Sequence, residues 1–128
     1  MENKNVVNWF EIYVNDMNRA KKFYETVLLK ELMDLPMPDN AAGGQMLAFP
    51  WVENAPYAAG ALVKHQMGKP SSSGTIVYFA CNDCSEELSR VEAAGGKVIA
   101  PKFAIGQHGF CGIASDTEGN TIGFHSTK

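Results

Sequence analysis

No apolar run in this 128-residue chain approaches the ~18 residues that a membrane-spanning helix needs, so no membrane partner is expected. Basic clusters are missing as well. Eleven Lys plus Arg stand against fourteen Asp plus Glu, a formal net charge of −3, which leaves no electrostatic footprint for nucleic acid. The opening Met1-Glu2-Asn3-Lys4-Asn5 lacks the charged-then-apolar pattern of a secretory leader, and a cytoplasmic location is the expectation. Cysteine is scarce: three residues, an odd number, read as free thiols rather than a disulfide framework. Neither Gly43-Gly44 nor Gly106-Gln107-His108-Gly109 leads into a helix through Lys-Ser or Lys-Thr, so a phosphate-cradling loop is excluded, and no serine nucleophile elbow occurs. What is present is a 45% hydrophobic composition, that of one ordinary globular domain. Such a chain buries roughly two-thirds of its unfolded surface and needs no metal or disulfide to hold it.

Periodicity organises the chain into two similar halves. Val6 to Val14 alternates Phe10, Ile12 and Val14 with Trp9, Glu11 and Tyr13, the period of a strand with one buried face. Behind Asp16 as N-cap, Ala20, Phe23, Tyr24, Val27 and Leu28 recur at helical spacing, which predicts a helix over Met17 to Leu29. Thr75 to Cys81 is a second strand, followed by Asp83 and Glu86 in capping-box spacing and a helix to about Ala94, where Gly95-Gly96 stops it. Asp16 and Asp83 close equivalent strands 67 residues apart, an internal repeat. Each half then continues as three short strands. These are Glu31 to Leu35, Gln45 to Phe49 and Ala58 to Lys64, then Lys97 to Ala100, Gly109 to Ser115 and Asn120 to Ser126. Pro36, Pro38, Gly43-Gly44, Pro50 and Pro56 punctuate the first set, and Pro101, Gly106 and the Asp116 to Gly119 turn the second. The expected fold is therefore α+β: one domain over 1–128 made of two tandem βαβββ modules, each a four-stranded sheet with a helix behind it. Module one spans about 5–68, a flexible polar linker 69–74, and module two 75–128.

Asp16 to Tyr24, with Arg19-Ala20 and Phe23-Tyr24 after a strand, resembles the acidic-turn helix opening of the vicinal oxygen chelate superfamily. That superfamily includes glyoxalase I, extradiol dioxygenases and bleomycin-resistance proteins. Asp116 to Phe124 is similar to its last hairpin, in which Gly119 suits the positive φ of a bulge while Asp116 and Asn120 bond nearby amides. The resemblance covers essentially the whole chain and implies curved mixed sheets, a small-molecule ligand held in a cup, and a homodimer. In metal-dependent members a His or Gln on the first strand of each module and a Glu on its last strand bind a divalent cation. Carried over residue by residue, those positions fall on Trp9 and Ile76, and on Ala61 and Gly123. None offers a ligand atom, so no cofactor and no metal ligands are expected, except at a displaced site.

Glu11 and His125 lie two residues beyond Trp9 and Gly123 on the same strand face, so they are the candidates for such a site, or for a general base and a hydrogen-bond donor. Tyr13 is a second group able to polarise an oxygen. A polar pair lining a wet cavity is the plainer reading. Trp9, Trp51 and Tyr78 are candidate aromatic walls for a ligand, with His108 at the cup mouth or in solvent. Trp9 and Tyr13 equally suit a dimer interface. His65 is expected to be exposed. Cys81-Asn82-Asp83-Cys84 has thiol-redox spacing, with Cys84 at a helix N-terminus and Cys81 turned to the buried side. The functional expectation is a small-molecule-binding protein, either a glyoxalase-related lyase or isomerase without the usual ligands, or a non-catalytic sequestering protein of the bleomycin-resistance type; thiol chemistry at Cys84 is a third alternative.

Overall fold

The structure, a computed structural model, describes residues 4–36 and 44–128; the expected turn signals at Pro38 and Gly43 lie outside the described residues. Module one contributes β1 (Trp9–Tyr13), α1 (Met17–Leu28), β2 (Met33–Asp34), β3 (Gln45–Ala48) and β4 (Ala59–Lys64). Module two contributes β5 (Val77–Ala80), α2 (Cys84–Val91), β6 (Lys97–Ala104), β7 (Phe110–Ser115) and β8 (Thr121–Ser126). The two sheets have the same topology. Their orders are β1-β4-β3-β2 and β5-β8-β7-β6, with β1 and β4 parallel, β5 and β8 parallel, and the other pairs antiparallel. The repeat seen in the sequence is thus a repeat in space. Among the described residues no helix is long and apolar enough to cross a membrane.

The caps act where the sequence places them. Asp16 accepts from the Arg19 amide at 3.0 Å, and Leu29 closes α1 in the left-handed conformation. Asp83 accepts from the amide and hydroxyl of Ser85, one residue earlier than the expected partner Glu86. Ser85 and Lys102 hold the Asp83 carboxyl down at about 2. The buried stripe of α1 is Met17, Ala20, Phe23, Tyr24 and Val27, and that of α2 is Cys84, Leu88 and Val91. Both stripes enter one core with Ile12, Leu62, Ile122 and Phe124. The core is continuous across the modules: the Tyr24 ring lies 5.7 Å from Phe49 and 5.9 Å from Phe79.

A buried polar network ties the halves together. Tyr24 donates to Asp116, whose other oxygen accepts from the amides of Glu118 and Asn120. The Asn120 side chain donates to the Tyr13 carbonyl. Glu118 accepts from the amides of Asn15 and Asp16 and from both nitrogens of the Arg19 fork, at 2.7–3.0 Å. The hairpin of module two is in this way bolted to the β1–α1 turn of module one.

Four local expectations need correction. The regular part of α2 stops at Val91, not Ala94; the chain goes on as a turn in which Ala94 and Gly96 donate to Arg90 and Val91 carbonyls. β6 runs through Pro101 to Ala104, although the proline was expected to end it. It lies at a sheet edge and its pairing with β7 shifts register on either side of Ala100, so the missing N–H breaks no essential bond. The 69–74 segment is pinned: Ser71 donates to Asn120 and Thr121 donates to the Ser72 carbonyl. His65 is half-buried, its Nδ1 accepting from the Met67 amide.

At Gly96 a Cβ would stand 2.5 Å from both the Phe23 ring and the Ser115 carbonyl oxygen. Gly96→Ala is therefore expected to destabilise the chain by about 1–3 kcal/mol, read as a lower urea midpoint at unchanged slope.

Candidate functional site

Strand alternation gives each sheet a second face, turned away from the helices. On β1, Phe10 and Ile12 pack toward the core, and Ile12 is buried while Glu11 is exposed. Trp9, Glu11 and Tyr13 thus share the outer face of the first sheet, opposite Ala59, Ala61 and Val63 of β4. In the second sheet Tyr78 stands opposite Gly123, and Ala80 opposite His125, with Cys111 of β7 as the next neighbour of His125.

The first face carries an aromatic cleft. The Trp9 indole N–H donates to the Glu11 carboxylate at 3.1 Å, and the Trp51 ring meets Trp9 edge-on at 6.4 Å. With Asn8, Tyr57 and Pro56 the two indoles line a cleft of about 410 Å³. Trp51 is 68% exposed, so the cleft has an open aromatic wall. Glu11 and Tyr13 also border a smaller cleft, about 230 Å³, beside Asn120 and Thr121. Gly68 lies against the Tyr13 ring so closely that any side chain there would overlap it.

On the second face the Tyr78 ring lies over Gly123, occupying the space a Gly123 Cβ would take. His125 Nε2 is 2.8 Å from the His108 carbonyl oxygen, so the Nε2-protonated ring donates there. His108 itself sits in a 3-10 turn at Gly106–His108, its side chain exposed. The sequence candidates accordingly fall into two groups. Trp9, Glu11, Tyr13 and Trp51 belong to the first sheet and its loop; Tyr78, His108 and His125 belong to the second. Glu11 and His125 are not bonded to each other in one copy of the chain.

The four positions carried over from metal-dependent members are not suited to hold a divalent cation. Trp9, Ala61, Ile76 and Gly123 supply no ligand atom, Ala61 is fully buried, and Tyr78 covers Gly123. Among the described residues no three His, Cys, Asp or Glu side chains come together as a metal site. The thiols are equally unsuited to attack. Cys84 is fully buried beneath Ser126, which accepts from its amide. Burial, and then the charge of Glu87, push the Cys81 thiol up to about 12.

Two features escaped the spacing argument. Glu118 looks like a solvated turn residue, yet it is buried and reaches back a hundred residues to Arg19. Glu87 lies on a helix with an ordinary polar pattern, yet one of its oxygens is shielded from solvent without a partner. The Glu118 contact leaves no local signature.

Comparisons with known proteins agree with this geometry. The family model described as the Glyoxalase/Bleomycin resistance protein/Dioxygenase superfamily matches residues 6–124. A Mycobacterium tuberculosis protein named "Putative glyoxylase CFP32" is 28% identical over 118 residues, 91% of this chain and 43% of that protein. The chain thus spans less than half the length of that relative. In structure it is similar to a V278E glyoxalase I mutant from Zea mays, with a TM-score of 0.71 and 19% identity over 94% of this chain and 45% of the maize protein. It is also similar to TnmS3, an antibiotic binding protein from Streptomyces sp. CB03234, with a TM-score of 0.66 and 21% identity over the full length of both chains.

Proposed function

The chain belongs to the glyoxalase/bleomycin resistance protein/dioxygenase superfamily, and from that premise we propose that it binds a small, flat organic molecule between aromatic walls on the outer sheet faces without transforming it. The observation that carries this reading is the Trp9–Trp51 cleft together with the Tyr78 ring lying over Gly123, where metal-dependent relatives are expected to coordinate. Stacking on an indole needs no metal and tolerates many planar ligands. The full-length likeness to an antibiotic binding protein supports sequestration of such a compound.

The binding unit in this reading is a homodimer. Ile76, Tyr78, Ile99 and Phe103 expose apolar surface around the second sheet, and Trp51 and Tyr57 do so beside the first. A second copy that set the first face against the second would cover both and bring Glu11 toward His125, charges of complementary sign when the imidazole is protonated. Three free cysteines suit the reducing cytoplasm.

Tryptophan fluorescence tests the binding. Naphthalene-sized aromatic compounds are expected to quench Trp9 and Trp51, and Trp9→Ala to weaken binding about tenfold or more. Sedimentation should show a dimer that Phe103→Asp dissociates. A second reading, a lyase or isomerase, rests on the exposed Glu11 carboxylate, which accepts from the Trp9 indole N–H. There Glu11 would move the proton while His125 or Tyr13 donates to the substrate oxygen. Turnover of a glutathione hemithioacetal that Glu11→Gln abolishes would replace sequestration by this second reading.

A further inference from the structure

The Trp9–Trp51 cleft has a charge as well as a shape. None of the residues lining it is Lys, Arg or His. Two carboxylates stand at its border instead. Glu11 accepts from the Trp9 indole N–H at 3.1 Å, and Glu53 lies in an exposed turn between the lining residues Val52 and Asn54. Neither is ion-paired among the described residues, and Lys69, which borders the smaller cleft with Glu11, forms no ion pair with it. The local field is therefore negative, which opposes an anionic ligand and favours a cationic one.

The walls favour the same sign. The two indole planes are inclined at 62° with centroids 6.4 Å apart, so they form a corner in which a ligand can lie against aromatic faces, the negative side of each ring's quadrupole. Indole holds a cation better than the other aromatic side chains do, and a carboxylate on the Trp9 N–H adds negative charge at the edge of that ring.

Tyr57 continues the wall, 80% exposed and held at φ 77°. A left-handed backbone is unfavourable for a bulky side chain, and such strain collects at ligand clamps. Here it places a ring that takes no part in the core cluster.

We propose that this cleft selects planar organic cations, of the class of N-alkylated heteroaromatic rings, which lie against Trp9 and Trp51, and that Glu11 sets the preference for positive charge. The proposal rests on the outer-face binding described above and narrows its ligand class.

The test compares three probes of similar size on the full chain: N-methylquinolinium, uncharged quinoline and 2-naphthoate. Trp9 and Trp51 are the two tryptophans of the chain, so two indole N–H resonances report on the cleft directly. N-methylquinolinium is expected to bind about tenfold or more tighter than quinoline, with 2-naphthoate weakest. Added salt should narrow the difference. Glu11→Gln keeps an acceptor for the Trp9 indole N–H but removes the charge, and should lower the ratio of quinolinium to quinoline affinity about threefold or more. Equal affinities for quinolinium and quinoline, a preference for naphthoate, or a ratio unaltered in Glu11→Gln would overturn the proposal and leave outer-face binding standing. If none of the three probes shifts the indole resonances, the outer-face reading itself falls, and the charge preference with it. Should Glu11→Gln fold poorly, the three probes on the unmodified chain at low and high salt decide alone.

Discussion

Replacing Glu118 by Gln is expected to lower the stability of the chain by about 2–4 kcal/mol at neutral pH, because one carboxylate serves four donor groups across the module boundary. Glutamine has one acceptor oxygen and no charge, so the Asn15 and Asp16 amides and the Arg19 fork cannot all be satisfied. The same residue predicts an acid limb. Burial alone would push the Glu118 carboxyl up, but Arg19, the Asp16 and Asn15 amides and the Thr117 hydroxyl outweigh it and hold it at about 2, against the ordinary 4.5. Between those values the unfolded chain binds the proton and the folded chain does not. The contribution is therefore complete above about pH 4.5 and is lost as pH falls toward 2. Urea unfolding at pH 7, 4 and 3 should show a steep loss in the parent and a flatter one in Glu118→Gln. Some slope should remain in the variant, since Asp83 is also held low, at about 2 against 3.8. Identical slopes in parent and variant would refute the assignment.

Phe23→Ala is expected to destabilise by about 3–5 kcal/mol, a drop in melting temperature of roughly 10–20 °C. The ring is fully buried, packs edge-on to Tyr24 at 4.9 Å and reaches across to Gly96 of module two. Truncation leaves a cavity that strands on both sides hold open. The void also makes room for a methyl group at Gly96, so Gly96→Ala should cost less in the Phe23→Ala background than alone. It should not become free, because the Ser115 carbonyl still crowds the position. A double-mutant cycle with no coupling would show that Phe23 and Gly96 do not meet.

The architecture was legible because it rests on local signals. Asp16 and Asp83 end strands and begin helices by the same capping chemistry, and alternation in β1 separates Ile12 from Glu11 without knowledge of the partner strand. Pro101 misled because its meaning depends on whether a strand is central or at an edge, which only the pairing reveals. The candidate site was legible by parity but not by proximity. Trp9 meets both Glu11 and Trp51, whereas parity cannot tell that His125 bonds to the His108 carbonyl. Glu118 was invisible because its partners, Asn15, Asp16 and Arg19, are brought in from the other module.

One border of each sheet, β2 in the first and β6 in the second, is a poor template for a foreign strand. β2 offers two residues, and β6 carries Pro101 within the register shift between Ala100 and Phe103. Backbone pairing with a foreign strand is thereby discouraged at these two borders, while β1 and β5 remain the opposite edges of the sheets.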